Sequence, residues 1–221
     1  LPSEEDGPIL PGFDISIEEL EIDQLTLAPG IAGENAQRVD LAGSAQVADR
    51  RLLVDVDGRL GRRDRVALLV DAEPDGDDFE LSLDVVAAAD GPLAALAGVD
   101  TPHTASIRGD GTWSRWSGGL LVRNEGERVA AMRITNRAGV FGLLGKFDPS
   151  GFLSGTPAKA MGDDVAFKAE LAIDSRIFDG QARIIGRGIG LDAAGLVDLG
   201  ENRAEELQVE AFVRDPDLLG D

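Results

Sequence analysis

The amino-acid sequence predicts an all-β protein, built as a curved antiparallel meander with one or two short helices. Apolar and polar residues alternate along most of the chain, as in strands that bury one face. Asp-Gly dipeptides, which suit two-residue hairpin turns, occur at 6–7, 57–58, 75–76, 90–91, 110–111 and 179–180. The alternation also changes phase within one strand, which indicates curvature. We therefore expect roughly a dozen strands, mostly in up-and-down order.

The first predicted strand lies in residues 15–30, ISIEELEIDQLTLAPG. Its apolar positions change from odd to even at Leu20 and return to odd at Leu25. Such a change turns side chains to the other face of a flat sheet unless a bulge absorbs the extra residue. The doubled polar residues at 18–19 and 23–24 are the predicted bulges. The segment also fits the five-residue period of some parallel β-helices, although that period stops after three units.

The pattern continues as one β segment over residues 1–221, with pseudo-halves at about 1–100 and 101–221. Residues 74–78 predict the clearest hairpin. Residues 90–98 predict a helix, because Pro92 suits its first position and Gly98 its end. Residues 141–153 fit either a bent strand or a loop plug. The other strands are predicted from alternating positions in the ranges 39–47, 52–56, 66–70, 79–85, 120–122, 165–173, 178–184 and 207–213.

Composition restricts the function. The formal net charge of −20 argues against simple electrostatic attraction to nucleic acid or to an anionic membrane. Cysteine is absent, which excludes disulfides, thiolate catalysis and cysteine-based zinc sites. No apolar run approaches the roughly 20 residues that span a bilayer. We expect the chain to be a fragment or a processed chain, since it starts at Leu1 rather than Met and ends in the polar sequence DPDLLGD.

No motif predicts an enzyme, a cofactor or a metal site. His103 is the only histidine, and it follows a turn at the start of a predicted strand. The acidic stretches at 55–58 and 75–78 are interpreted as solvated hairpin tips, with weak calcium binding as the alternative. The glycines of 186–190 lack the strand–helix context of a dinucleotide site and favour a bulge or bend. Trp113 and Trp116 fit either a groove rim or ordinary packing beside a turn.

A family resemblance rests on the order of six stretches. These are LEIDQLTLAP at 20–29, RVDLAGSAQVAD at 38–49, LLVDVDG at 52–58, DRVALLVDAEPDGDDFELSLDV at 64–85, PLAALAG at 92–98 and GDGTWSRWSG at 109–118. In this order they resemble the TamB family, which belongs to the AsmA-like group of envelope proteins.

The resemblance implies a location and a function. It implies a periplasmic part of an inner-membrane-anchored protein of a Gram-negative bacterium. Its fold would be a long U-shaped sheet, a β-taco, whose apolar groove carries phospholipid between the inner and outer membranes. It further implies support of outer-membrane biogenesis, with a TamA-like barrel protein as partner of the full-length protein. The alternative function is a scaffold that binds outer-membrane β-barrel clients by strand augmentation.

The resemblance and the alternation together give a predicted lining for the groove. Aliphatic side chains suit acyl chains, because such a ligand needs an apolar surface without directed polar groups. The alternative is that these side chains pack on each other, as in a β-sandwich. The predicted lining residues are Ile15, Ile17, Ile22, Leu25, Leu27, Val54, Val56, Leu68, Val70, Leu81, Leu83, Ile134, Phe167, Leu171, Ile173, Ile184, Leu207 and Val209.

Overall fold

The computed structural model describes residues 13–28, 36–73, 76–174, 177–198 and 203–218. These residues form an all-β antiparallel meander, as predicted, and contain two short α-helices. Thirteen strands occur in chain order, each next to its sequence neighbours. The strands are β1 (Ile15–Leu27), β2 (Gln37–Ala48), β3 (Arg51–Leu60), β4 (Asp64–Glu73), β5 (Asp78–Ala87), β6 (His103–Gly111), β7 (Arg115–Asn124), β8 (Glu127–Arg137), β9 (Val140–Phe147), β10 (Val165–Asp174), β11 (Ile177–Ile185), β12 (Ile189–Asp198) and β13 (Arg203–Val213).

The chain divides into two compact units, Leu1–Arg128 and Val129–Asp221. The first holds β1 to β7 and helix α1 (Pro92–Ala97). The second holds most of β8, the strands β9 to β13 and helix α2 (Gly155–Met161). No helix within the described residues has the length and hydropathy needed to cross a membrane.

Strand β1 contains both predicted bulges. Its register with β2 shifts between Ile17 and Leu20 and again between Ile22 and Leu25. At the second shift Gln24 adopts φ 62°, and its backbone N–H donates to Asp40 Oδ1 at 2.9 Å. The two bulges bring the odd and even apolar positions to one face. The antiparallel pairing also rules out the parallel β-helix alternative.

Three of the six Asp-Gly turn predictions are wrong. Residues 57–58 lie inside β3, residues 179–180 lie inside β11, and residues 110–111 end β6. Gly58 instead makes room for a neighbour, because a Cβ there would lie 2.9 Å from Leu41 Cδ2. Asp55 and Asp57 therefore belong to a strand rather than a hairpin tip. The hairpin predicted at 74–78 is confirmed by pairing of Glu73 with Asp78, whereas 6–7 and Asp75 lie outside the described residues.

Other two-residue sequences make the tight turns. Asp49-Arg50, Glu125-Gly126 and Ala138-Gly139 each connect two strands with positive φ at both positions. This is the backbone of a type I′ turn, whose twist matches that of the flanking strands.

Each of the two α-helices lies in a connection between two strands, α1 between β5 and β6 and α2 between β9 and β10. Helix α1 confirms the prediction for 90–98, and Gly98 ends it in the left-handed conformation with φ 70°. It buries Pro92 and Ala94, while Leu96 stays 57% exposed. The stretch 141–153 is strand β9 followed by a 3₁₀ turn at Pro149–Gly151. Helix α2, which follows it, was not predicted because its seven residues, GTPAKAM, show no apolar periodicity.

Candidate functional site

One face of the first unit is aliphatic along all seven strands. Residues directly opposite each other in an antiparallel pair point to the same face, so the register defines cross-strand rows. We call this side the aliphatic face. Its three central rows are Ile17, Ala45, Val54, Val70, Leu81, Gly109 and Gly118; then Leu20, Gly43, Val56, Leu68, Leu83, Ile107 and Leu120; then Ile22, Leu41, Gly58, Val66, Val85, Ala105 and Val122.

No second layer of side chains from the described residues of the first unit covers its aliphatic face. Ile17, Leu20 and Ile22 are 43%, 46% and 37% exposed, and the aliphatic side chains of β3 to β7 in the three rows are half-buried. A sandwich core would bury such residues almost completely. Among the described side chains of β1 to β5 on this face, the buried hydrophobic ones are Val39, Ala72 and Ala87.

The opposite face of the first unit is charged. Arg51 on β3 donates two hydrogen bonds to the carboxylate of Asp71 on β4, and Arg108 on β6 pairs with Asp84 on β5. The hydrogen-bonded guanidinium of Arg51 lowers the pKa of the Asp71 carboxyl group. Successive residues of one strand thus lie on opposite faces: half-buried Leu68 lies on the aliphatic face, and Leu69 lies on the charged face.

An aromatic cluster lies at one end of the aliphatic face of the first unit. The rings of Phe79 and Trp113 are stacked with centroids 4.5 Å apart, and the Trp116 ring lies 6.1 Å from Phe79. The Trp116 indole lies over Gly109 and Gly118, where a Cβ would overlap the ring. Trp116 is buried, while Trp113 is 43% exposed. The pair therefore packs beside the β6–β7 turn and also borders the face.

Asp64 and helix α1 lie at the other end. Asp64 is 1% exposed, and its carboxylate accepts hydrogen bonds from the backbone N–H groups of Ala88 at 2.8 Å and Leu93 at 2.7 Å. Asp64 pairs with Leu60, whose row also contains Val39 and Leu25. The open part of the face thus lies between the aromatic cluster and this helix anchor.

The second unit also has an aliphatic face and an opposite, charged face, and its aliphatic face carries fewer large side chains than that of the first unit. Its opposite face carries Lys168, Glu170 and an ion pair of Arg183 with Asp192 at 2.6 Å. The depressions of 410 and 450 Å³ in this unit lie mainly on that charged side. Two rows of the aliphatic face are Met132, Gly145, Phe167, Ile184, Leu191 and Ala211; then Ile134, Leu143, Ala169, Ala182, Ala193 and Val209.

The structure places the predicted lining residues in two sets, one in each unit. Ten of them share the aliphatic face of the first unit, namely Ile15, Ile17, Ile22, Leu25, Val54, Val56, Leu68, Val70, Leu81 and Leu83. In the second unit Ile134, Phe167, Leu171, Ile184 and Val209 share a face, and Leu207 lies at the register shift of β13. The side chains of Leu27 and Ile173 lie outside the described part of the chain.

Sequence reasoning missed part of the face. Leu41, Val66 and Val85 alternate in strands that the sequence predicted, so the signal for them was present. Ile107, Met132 and Leu143 lie in β6, β8 and β9, where arginine and glycine interrupt the apolar pattern. Only the cross-strand register assigns these three to the face.

The polar candidates do not assemble a catalytic or metal site within the described residues. His103 Nδ1 lies 2.8 Å from the Thr101 carbonyl oxygen, and its Nε2 lies 3.4 Å from Asn124 Nδ2. No cluster of three potential metal ligands occurs in the part of the chain that the structure describes. Gly186 and Gly188 form the β11–β12 turn, where Gly188 N–H donates to the Ala160 carbonyl at 2.6 Å.

These features define a class: an antiparallel β-meander in which the described strands of each unit carry an aliphatic face and a charged face. No family model, curated protein or solved structure matches the chain.

Proposed function

We propose that the aliphatic faces bind phospholipid acyl chains, as part of a TamB-like periplasmic protein that carries lipid between the inner and outer membranes and supports outer-membrane biogenesis. The observation that supports this most is the half-exposed state of the three central rows in the first unit. Exposure of aliphatic side chains to water costs free energy, and contiguous exposed apolar patches typically mark a binding surface.

The dimensions of the face in the first unit suit an acyl chain. Seven strands at a spacing of about 4.8 Å give a width of roughly 29 Å, and three rows two residues apart span about 13 Å along the strands. A phospholipid acyl chain spans about 15 Å, half of the ~30 Å hydrocarbon core of a bilayer. Each buried CH₂ group contributes about 0.8 kcal/mol, so a handful of contacts gives useful affinity.

A second candidate is a scaffold that binds barrel clients at a sheet edge. Strands β1 and β13 each pair with one strand in the described residues, so each has a free edge there. The two bulges of β1 oppose regular pairing along that edge. Strand β13, with 11 residues, is therefore the edge to test for strand augmentation.

The proposal predicts different effects for neighbouring leucines. Leu68→Asp places a carboxylate in the central row of the aliphatic face, whereas Leu69→Asp places one on the charged face. We expect Leu68→Asp to lower retention of dioleoyl phosphatidylcholine about tenfold or more, because a buried carboxylate would have to lose its hydration. Leu69→Asp is expected to change lipid retention less than about twofold, because it is a surface substitution on the charged face. Native mass spectrometry of each folded protein after incubation with the lipid measures the bound fraction.

The two variants Leu68→Asp and Leu69→Asp also distinguish a loss of lipid binding from a loss of folding. Circular dichroism must show both variants folded, and a lipid photo-crosslinker should label peptides of β3 to β5 in the wild-type chain. Equal lipid retention by the two folded variants, or no retention by the wild type, would disprove the proposal. Crosslinking of a client strand along β13 with no lipid on the face would favour the scaffold.

A further inference from the structure

The aromatic cluster of Phe79, Trp113 and Trp116 borders the aliphatic face of the first unit. Phe79 precedes Leu81 by two residues and Trp116 precedes Gly118 by two, so both rings extend from the face to which Leu81 and Gly118 belong. The Trp113 ring stacks on Phe79 from the turn between β6 and β7. The three rings therefore form an aromatic border at one end of this face.

The Trp116 side chain has a hydrogen-bond donor that nothing in the described residues accepts. Trp116 is 8% exposed, and its indole Nε1 is buried without a hydrogen-bond partner. Among the described side chains it is the one buried nitrogen or oxygen atom in this state. A buried donor without an acceptor destabilises a protein unless water or a ligand supplies one, so this donor needs an explanation.

The opposite end of the aliphatic face has its buried polar group satisfied. Both carboxylate oxygens of Asp64 accept backbone hydrogen bonds there, Oδ1 from Ala88 and Oδ2 from Leu93. The unpaired indole N–H thus distinguishes the aromatic end from the end at helix α1. This difference gives the face a direction.

We propose that Trp116 Nε1 donates a hydrogen bond to an ester carbonyl oxygen of a phospholipid whose acyl chain lies on the aliphatic face of the first unit. This inference rests on the proposed function and adds the recognised chemical group and the orientation of the lipid. Ester carbonyls are the acceptors of a phospholipid that directly adjoin its hydrocarbon chains. An indole suits this boundary, because its rings are apolar and its N–H is polar. The acyl chain then runs from the aromatic border towards α1.

The cluster has to rearrange when the carbonyl binds, because Nε1 itself is buried. Trp113 is 43% exposed, whereas Trp116 is buried and Phe79 is half-buried. The Trp113 ring is carried by the β6–β7 turn, so it loses the least burial when it moves. The rearrangement is therefore assigned to Trp113.

The site is expected to favour an ester over a free fatty acid. A fatty acid also carries carbonyl-type oxygens, but its carboxylate is charged and would lose its hydration beside the buried indole. The β6–β7 turn already holds a carboxylate, since Ser114 Oγ donates to Asp77 Oδ2 at 3.1 Å. A second negative charge near it would be repelled.

The test compares two lipids that differ only in the carbonyl groups. Dioleoyl phosphatidylcholine and its dioleyl ether analogue are offered together to the full chain and read by native mass spectrometry. We expect the wild type to retain the ester about threefold to tenfold better, the effect of one hydrogen bond in an apolar surrounding. Trp116→Phe, which keeps a ring but has no N–H, should lower this preference to about one. Trp113→Phe is the matched control and should keep the preference.

Each outcome of the lipid comparison has a defined meaning. Circular dichroism checks that both variants are folded. Equal retention of the two lipids by the wild type, or an unchanged preference in folded Trp116→Phe, overturns the hydrogen bond alone. An equal loss in Trp113→Phe also overturns it, because the preference would then come from packing of the cluster. Displacement of the ester lipid by equimolar oleate overturns the ester assignment, and retention of neither lipid overturns the proposed function as well.

A second measurement does not require a substitution of Trp116. The chain has two tryptophans, so Trp113→Phe leaves a single indole N–H signal in a ¹⁵N–¹H correlation spectrum. We expect the ester lipid to move the indole proton signal further downfield than the ether analogue does, because a carbonyl acceptor deshields the proton. The same signal position with both bound lipids would contradict the proposal.

Discussion

Asp64 shows how one side chain can fix the start of a helix from a distant strand. Gly91 precedes α1 and provides no side-chain cap, so the first turn lacks the usual local acceptor. The Asp64 carboxylate from β4 accepts the Leu93 N–H instead. A Cβ at Gly91 would overlap that carboxylate, which explains glycine at this position.

Asp64→Ala is therefore expected to destabilise the first unit. The substitution leaves the N–H groups of Ala88 and Leu93 without their acceptor, and hydrogen bonds to a charged group contribute about 1.5–3 kcal/mol each. We expect the free energy of unfolding in urea to fall by about 2–4 kcal/mol. Asp90→Ala removes an exposed ion pair and should cost less than about 1 kcal/mol. Equal effects of the two substitutions would contradict the anchoring role.

Gly109 and Gly118 leave room for the Trp116 indole, which lies over both glycines. Gly109→Ala should displace the ring, because the new Cβ overlaps it. In a Trp113→Phe background we expect a red-shifted tryptophan emission and a loss of about 1–3 kcal/mol of stability, as for other overpacked sites. Gly119→Ala, at an exposed position next to Gly118, is the control and should leave the emission unchanged. An unshifted spectrum in Gly109→Ala would show that the indole does not depend on this space.

At the scale of an element, β1 shows what a sequence pattern can and cannot predict. The two phase changes predicted both bulges, because a one-residue slip has to be absorbed somewhere in a strand with one apolar face. Asp-Gly dipeptides predicted turns less well, since three of them lie within or at the end of strands. Turn chemistry is local, but the position of a turn depends on the register that packing selects. Asp49-Arg50 takes a type I′ backbone without glycine for this reason.

The strands also predict a pH dependence. The pKa values of Asp40, Asp71 and Asp192 are lowered, chiefly by the Gln24 N–H, by Arg51 and by Arg183 respectively. Near pH 4 the unfolded chain binds protons at these groups while the native sheet keeps them ionised, so stability from them is present above about pH 4 and is lost below it. We expect the urea midpoint to fall as the pH drops from about 4 towards the lowered values.

The triple variant Asp40→Asn, Asp71→Asn and Asp192→Asn separates these groups from the other acids. Its urea midpoint should start lower at neutral pH and should decline less steeply below about pH 4, because the groups that take up protons on unfolding are gone. A decline as steep as that of the wild type would assign the acid sensitivity to other carboxyl groups.

At the scale of the molecule, the fold class and the strand order were predictable, while the complete face was not. Alternation repeated over many short segments leaves few architectures other than an antiparallel meander. It also separated aliphatic from charged residues in several predicted strands, as Leu83 and Asp84 of β5 illustrate. The rows become visible only when β6, β8 and β9 are placed in register, because these strands contain glycine and arginine at positions that weaken the pattern.

Pairing in strict chain order has a consequence for how such a protein can evolve. Each strand bonds only to its neighbours in the sequence, so duplication of a hairpin inserts two strands without exchanging any distant partner. An even number of added strands keeps the direction of those that follow, and each duplication widens the sheet by roughly 10 Å. Lineages could thus lengthen or shorten the sheet in steps of two strands.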